Sequence, residues 1–369
     1  MNCPGAPHQP PNLRRRAGFT LVELLVVITI IGILIALLVP AISGVVRNAN
    51  EASVISEINA LGQALADFKA KYGEYPPSRI IIPANGNYAA LRAMTTNPID
   101  PSVFVGTVPP VVGSGPNESI AALAERSERF MRKFFPRGYM TSIPIMTNDT
   151  RVLFYLTGDE CLVFFLGGIP VNNGGTWELT GFNNNPQQPF LPGGNRSEPF
   201  FEFKPNRLVD LDGDGFPSYI DNLGTDSDAR PYAYFVSYGN GDYDPNDVNF
   251  GPNFVGEAFG VPFSVGGTTS NPVLLESPGP NPYTSSRNVV VNGMALARPA
   301  YINPNSFQII SAGLDRFYGF GGPFLSNSSK KFPLFIFFNS NVQELPNESA
   351  LRVTLEADNL TNFNTSRLD

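Results

Sequence analysis

Directly after the cluster Arg14-Arg15-Arg16 the chain passes through one acid, Glu23, into an uncharged apolar run from Leu24 to Val39. No other stretch constrains the fold as strongly. The 21 residues from Phe19 to Val39, at a rise of about 1.5 Å each, make a helix of roughly 31 Å, enough to cross a hydrocarbon core of about 30 Å. A removable secretory signal ends in small residues and is cut on the far side of its apolar run. Here the run continues into Pro40-Ala41-Ile42-Ser43-Gly44 and a further helical pattern, so the span is expected to be kept. Lys and Arg in short flanks stay on the inner side. The N-terminus is therefore expected in the cytoplasm, and everything after about residue 45 outside it.

The segment Gly18-Phe19-Thr20-Leu21-Val22-Glu23-Leu24-Leu25-Val26-Val27 resembles the cleavage and methylation signature of type IV prepilins and type II secretion pseudopilins, and the likeness extends over roughly residues 14–76. The resemblance implies that residues 1–18 are a leader, cut between Gly18 and Phe19 by a prepilin peptidase that then methylates the new amino group of Phe19. Residues 19–39 would be the inner-membrane anchor and later the core of a fibre, and residues 40–76 the amphipathic continuation of the same helix.

Glu23 is read independently of that resemblance. An ionisable group near the end of an apolar span is costly without a partner, and its own helix is expected to offer none. In a fibre its carboxylate would meet the Phe19 amine of a neighbouring subunit and set the register of assembly. The alternative is a glutamate one turn into the helix, favoured by the positive end of the dipole and reaching to the interface. Further along, Gly32 and Pro40 are expected to interrupt the helix, either as a kink at the membrane exit or as a stretch that melts within a fibre.

Beyond the span, Ile55, Ile58, Leu61, Leu65, Phe68 and Tyr72 recur at three- and four-residue steps, one stripe of an amphipathic helix. Gly73 followed by Tyr75-Pro76-Pro77 predicts its end near Lys71 to Gly73, because glycine suits a left-handed cap and proline cannot continue the ladder. The exit segment Phe68 to Pro77 is similar to that of the major, G-type pseudopilins.

Composition favours a structural part over a catalyst. The sole histidine, His8, and Cys3 lie in the expected leader, leaving Cys161 as the one remaining cysteine. Nucleophile–histidine pairs and histidine-ligated zinc are thereby excluded, and a lone cysteine forms no intrachain disulfide. Cys161, in the run Cys161-Leu162-Val163-Phe164-Phe165-Leu166, reads as a small buried hydrophobe. Loss of the leader's three arginines takes the formal charge from -7 to -10, which disfavours nucleic acid as a partner.

Residues 77–369 are expected to form a β-rich extracytoplasmic domain. Candidate strands are Leu162 to Leu166, Tyr232 to Tyr238, Phe307 to Ser311, Leu334 to Phe338 and Leu351 to Leu355. A helix is predicted from Ser119 to Phe135. Asn172 to Asn206 and Asn240 to Ser286, dense in Asn, Gly and Pro, read as loops.

The stretch Asp210-Leu211-Asp212-Gly213-Asp214-Gly215-Phe216-Pro217-Ser218-Tyr219-Ile220-Asp221 has oxygen ligands at positions 1, 3 and 5, glycine at 6 and an acid at 12, the spacing of an EF-hand-type calcium loop. Asp210, Asp212, Asp214, the Phe216 carbonyl and Asp221 are the expected ligands of Ca2+. A solvated acidic turn is the alternative. Asp242, Asp244 and Asp247 are either additional ligands or turn residues. Arg230 to Tyr234 and Phe307 to Asp315 resemble late strands of G-type pseudopilins that lead to a calcium-binding loop, which makes Asp315 and, through Ala357 to Phe363, Asp358 candidates for a second ion.

The expected fold is α+β and pilin-like: a long N-terminal helix whose outer half packs on an antiparallel sheet carrying long loops. The expected function is a non-enzymatic subunit that polymerises through its helix in a type II secretion or related pilus system. Its partners would be its own copies and other pseudopilins, the prepilin peptidase, an inner-membrane assembly platform and a cytoplasmic ATPase. A surface pilus for attachment or motility, and a membrane-anchored binding module, are the alternatives.

Overall fold

The computed structural model describes residues 20–83, 86–92, 120–136, 153–185, 187–191, 193–211, 213–223, 230–244, 247–248, 263–264, 274–275, 280–285, 290–291, 294–295, 300–319, 321–329, 331–332, 335–338, 341–344 and 356–368. The chain divides into two units, Met1–Ala49 and Asn50–Asp369.

In the first unit the described residues form the N-terminal part of one helix, α1 (Leu21–Tyr72). Its apolar side chains point outward, with Leu21 79% and Leu37 70% exposed. A helix that is apolar all round needs lipid or other chains to cover it. It is the one helix among the described residues long and apolar enough to cross a membrane. The interruptions expected at Gly32 and Pro40 do not break it: α1 runs through both. Proline removes a single donor, and hydrogen bonds on either side can carry the helix on.

In the second unit α1 buries the expected stripe. Val54, Ile58, Leu61, Leu65 and Phe68 are buried, and Ile55 and Tyr72 pack partly against them. The helix ends where the glycine and prolines require. Gly73 sits at φ +85° and its N–H donates to the Lys69 carbonyl at 2.7 Å, a left-handed cap that a side chain would strain.

Next come β1 (Ile80–Pro83), α2 (Ala89–Arg92), α3 (Ile120–Phe134), β2 (Leu153–Leu156) and α4 (Gly158–Gly167). Strand β1 pairs antiparallel with β2, Ile80 opposite Leu156. Helix α3 matches the expectation for 119–135. Helix α4 overturns the expected strand over Leu162–Leu166: all ten of its residues are buried, and a continuous apolar run carries no periodicity to tell a buried helix from a buried strand. Its start is fixed by Glu160, whose carboxylate accepts the Thr157 N–H at 2.8 Å, half of a capping box.

Strands β3 (Pro170–Asn173) and β4 (Thr176–Leu179) make a hairpin that runs into the stretch read as loop from Asn172. Strands β5 (Leu208–Val209) and β6 (Ser218–Tyr219) make another, and β7 (Ala233–Val236) follows. Short strands β8 (Phe263–Ser264), β9 (Leu274–Leu275), β10 (Tyr283–Thr284), β11 (Val290–Val291) and β12 (Met294–Ala295) precede β13 (Phe307–Ser311). The last are β14 (Gly322–Pro323), β15 (Phe335–Phe338), β16 (Asn341–Glu344) and β17 (Leu360–Thr361). Expected strands 232–238, 307–311 and 334–338 thus appear as β7, β13 and β15, while 351–355 lies outside the described residues.

The principal sheet is antiparallel, order β17-β13-β7, with Phe307 opposite Val236 and Ile310 opposite both Ala233 and Thr361. The other strands pair in twos, of which β10 and β14 are parallel. Alternation along the strands splits the core into two layers. Tyr232, Tyr234, Val236, Phe307 and Ile309 face the cluster containing α1 and α4. Ala233, Phe235 and Ile310 face a second cluster with Tyr283, Phe324 and Phe332. Rings fill the first layer edge to face, Phe134 to Phe165 at 5.4 Å and 81° and Phe164 to Phe182 at 5.2 Å and 85°. This is an α+β architecture with a long N-terminal helix.

Candidate functional site

At the start of α1, Glu23 turns back on the helix entrance. One carboxylate oxygen accepts from the Thr20 N–H and the Thr20 hydroxyl, both at 2.8 Å, and the Glu23 N–H donates to Thr20 Oγ1 at 3.2 Å. This reciprocal capping box corrects the expectation that the helix offers Glu23 no partner. Gly18 and Phe19 lie outside the described residues.

The first acidic loop is the tip of the β5–β6 hairpin. Asp210 accepts from the main-chain N–H of Gly213 at 2.9 Å and of Gly215 at 3.0 Å, and Asp214 from that of Phe216 at 2.7 Å. The Phe216 ring is buried against Phe154 and Phe164, anchoring the loop at position 7. Asp212 lies outside the described residues. Asp221, expected at position 12, is buried and turned to the principal sheet: it accepts from the Ser311 hydroxyl at 2.7 Å and the Leu223 N–H at 3.1 Å. Burial holds its pKa above the ordinary aspartate value against those hydrogen bonds. Among the described residues no group of three or more His, Cys, Asp or Glu is gathered for a metal ion.

The second acidic site is assembled from two chain segments. One oxygen of Asp358 accepts the N–H groups of Leu314 and Asp315 at 2.7 and 2.9 Å, while Asp315 accepts from Phe317 N–H at 2.8 Å. The other oxygen of Asp358, Oδ1, is buried and has no hydrogen-bond partner among the described residues. Gly313, at φ +70°, permits the approach; a Cβ there would stand 2.4 Å from the Asp358 carbonyl oxygen.

Asp244 and Asp247, read as ligands or turn residues, instead surround a buried cation. Arg79 Nη2 donates to Asp244 at 2.5 Å, and its Nε lies 3.5 Å from Asp247. Asp247 also accepts from Ser78 Oγ and Tyr238 Oη, both at 2.5 Å. Burial dominates at Asp247 and pushes its pKa up to about 6, against the pull of Arg79.

Glu57 was missed in the sequence. It accepts both arms of Arg207 at 2.7 Å and the hydroxyls of Tyr219 at 2.9 Å and Tyr232 at 2.6 Å. Burial opposes its ionisation, but Arg207 and the two hydroxyls outweigh burial and hold its pKa below the ordinary glutamate value. Its place three residues after Val54 and four before Leu61 was the available signal, since it sets the carboxylate beside the buried stripe.

A family model for the prokaryotic N-terminal methylation motif matches residues 13–39. Curated relatives match over part of the chain. Type II secretion system core protein G of Aeromonas hydrophila is 44% identical over 63 residues, 17% of this chain and 44% of that protein. Core protein G of Klebsiella michiganensis is 37% identical over 91 residues, 24% of this chain and 58% of that protein, and that of Escherichia coli 42% identical over 62 residues, 17% and 43%. The chain spans about half the length of the curated relatives it matches. No solved structure matches it. The chain thus carries the prokaryotic N-terminal methylation motif at the head of a long apolar helix, and over part of its length it is similar to core protein G of type II secretion systems.

Proposed function

We propose that the chain is a pseudopilin-like structural subunit, cut between Gly18 and Phe19, methylated on Phe19, and polymerised through α1 into a fibre of a type II secretion or related pilus system. The observation that carries this is the methylation motif over residues 13–39 leading into a helix whose apolar side chains have no cover within the described chain. Its N-terminus lies in the cytoplasm, held there by Arg14, Arg15 and Arg16, with the β-rich domain outside. Its partners are copies of itself and other pseudopilins, the prepilin peptidase, an inner-membrane platform and a cytoplasmic ATPase. In the fibre Glu23 exchanges part of its capping contact with Thr20 for the Phe19 amine of a neighbouring subunit, so that the carboxylate meets an opposite charge rather than uncharged donors alone.

The test is intact mass and N-terminal sequencing of the protein from native membranes, with wild type and Glu23→Ala compared in sheared fibres. A methylated Phe19 start, with fibres lost in the variant, is the expected result. An uncut N-terminus, or a cut protein absent from fibres, sinks the proposal.

Two calcium sites belong to the same reading. Asp315 and Asp358 fit best, because the buried, unpartnered Oδ1 of Asp358 is the kind of oxygen a hard cation satisfies. At the hairpin tip Asp210, Asp212, Asp214 and the Phe216 carbonyl are the proposed ligands, with Asp221 committed to Ser311. Millimolar Ca2+ should raise the melting temperature relative to EGTA, and Asp358→Asn should remove most of the rise; an unchanged rise in that variant excludes Asp358 as a ligand.

A further inference from the structure

Within the second unit α1 is fastened to the body in two different ways along its length. Between Glu51 and Glu57 the fastening is largely polar. Glu51 faces Arg367 Nε at 3.7 Å, Ser53 Oγ accepts from Asn222 Nδ2 at 2.9 Å, and Glu57 holds Arg207, Tyr219 and Tyr232. From Leu61 onward it is apolar: Leu61, Leu65 and Phe68 are fully buried, and the Tyr72 ring stands edge-on to Phe134 at 4.6 Å and 63°.

These fastenings respond differently to water. When a polar stretch lifts, its carboxylates and the guanidinium regain hydration, which offsets most of the hydrogen bonds they lose. A lifted Phe68 or Leu65 recovers nothing of the kind. The polar ties are also coupled. Arg207 donates to the Ile220 carbonyl as well as to Glu57, and Asn222 lies two residues beyond Ile220, so the β5–β6 hairpin carries two of the three ties on one short piece of chain. Val54 and Ile58 are the buried apolar contacts of this stretch, with Ile55 packed partly beside them, and they are fewer and smaller than those beyond it.

We propose that residues 51–58 are a releasable segment of the helix, strapped to the body by Arg207, Asn222 and Arg367 and let go as one step, with the aromatic clamp of residues 61–72 as the fixed point. The strap is a conformational device of this body alone, independent of the proposed secretion role. It would let the helix part from the domain up to Leu61 without unfolding the domain.

Hydrogen exchange read by mass spectrometry on the full chain in detergent micelles tests it. Amides of 51–58 should exchange as one group, at least ~tenfold faster than those of 61–72, through an opening smaller than global unfolding. Glu57→Gln should speed that group further while 61–72 stay protected. The double variant Asn222→Ala/Arg367→Ala removes the two outer ties and leaves the core untouched, and it should act in the same direction. Equal exchange of 51–58 and 61–72 in wild type and in both variants would overturn the proposal, since the helix would then open only as one unit with the body.

Discussion

Thr20 and Glu23 at the head of α1, and Thr157 and Glu160 at the head of α4, are the same device used twice, a threonine followed three residues later by a glutamate that reaches back to the threonine N–H. At Thr157 both residues are buried, so losing the carboxylate strands a main-chain donor away from water. Glu160→Ala should therefore lower stability by about 1–2 kcal/mol, read as a shift of the urea midpoint at unchanged slope; no shift would mean that packing alone sets the helix start. Both pairs were legible, because threonine and glutamate at that spacing before an apolar run mark a helix entrance. The apolar run from Cys161 to Leu166 has no helical period, so at Thr157 the pair had no recognisable helix to open. The Glu57–Arg207 pair was less accessible: its members are 150 residues apart, and only the place of Glu57 beside the buried stripe hinted that it had a partner.

At the scale of elements, the same substitution should have opposite signs on two helices. Gly62 lies in α1, and a Cβ there would meet only the Phe307 ring, at 3.6 Å. Gly62→Ala should stabilise by roughly 0.5–1 kcal/mol through helix propensity and loss of unfolded-state freedom. At Gly158, the first residue of α4, a Cβ would stand 1.9 Å from the Tyr234 carbonyl oxygen of β7. Gly158→Ala should cost about 2 kcal/mol or more by forcing helix and strand apart. Thermal or urea unfolding of the two variants decides it, and a neutral Gly158→Ala would mean that α4 can shift. The long helix, its stop at Gly73, α3 and strands β7 and β13 were readable because periodicity, glycine and proline act locally. Helix α4 was not, because a segment buried on every side shows no amphipathic pattern, and the pairing of β13 with both β7 and β17 depends on contacts distant in sequence.

For the molecule as a whole, the buried carboxylate of Asp247 and the half-buried one of Glu57 pull the pH dependence in opposite directions. Asp247, whose pKa rises from 3.8 unfolded to about 6 folded, binds more protons in the native state between those values. Its contribution is therefore fully present below about pH 4 and lost as pH rises through 6. Glu57, with its pKa held below 4.5 by Arg207 and two tyrosines, contributes stability above pH 4.5 that is lost as pH falls through its folded value. Together they place maximal stability in the mildly acid range, near the ordinary glutamate pKa, with a decline toward pH 7 on the order of 2 kcal/mol. Asp247→Asn keeps an acceptor for Ser78 and Tyr238 but cannot titrate, so the decline between pH 5 and 7 should flatten while the acid limb below pH 4.5 persists. Urea midpoints of wild type and variant across pH 4 to 7.5 measure both limbs. A wild-type curve already flat from pH 5 to 7 would show that Arg79, 3.5 Å from the Asp247 carboxylate, keeps that carboxylate ionised and outweighs its burial.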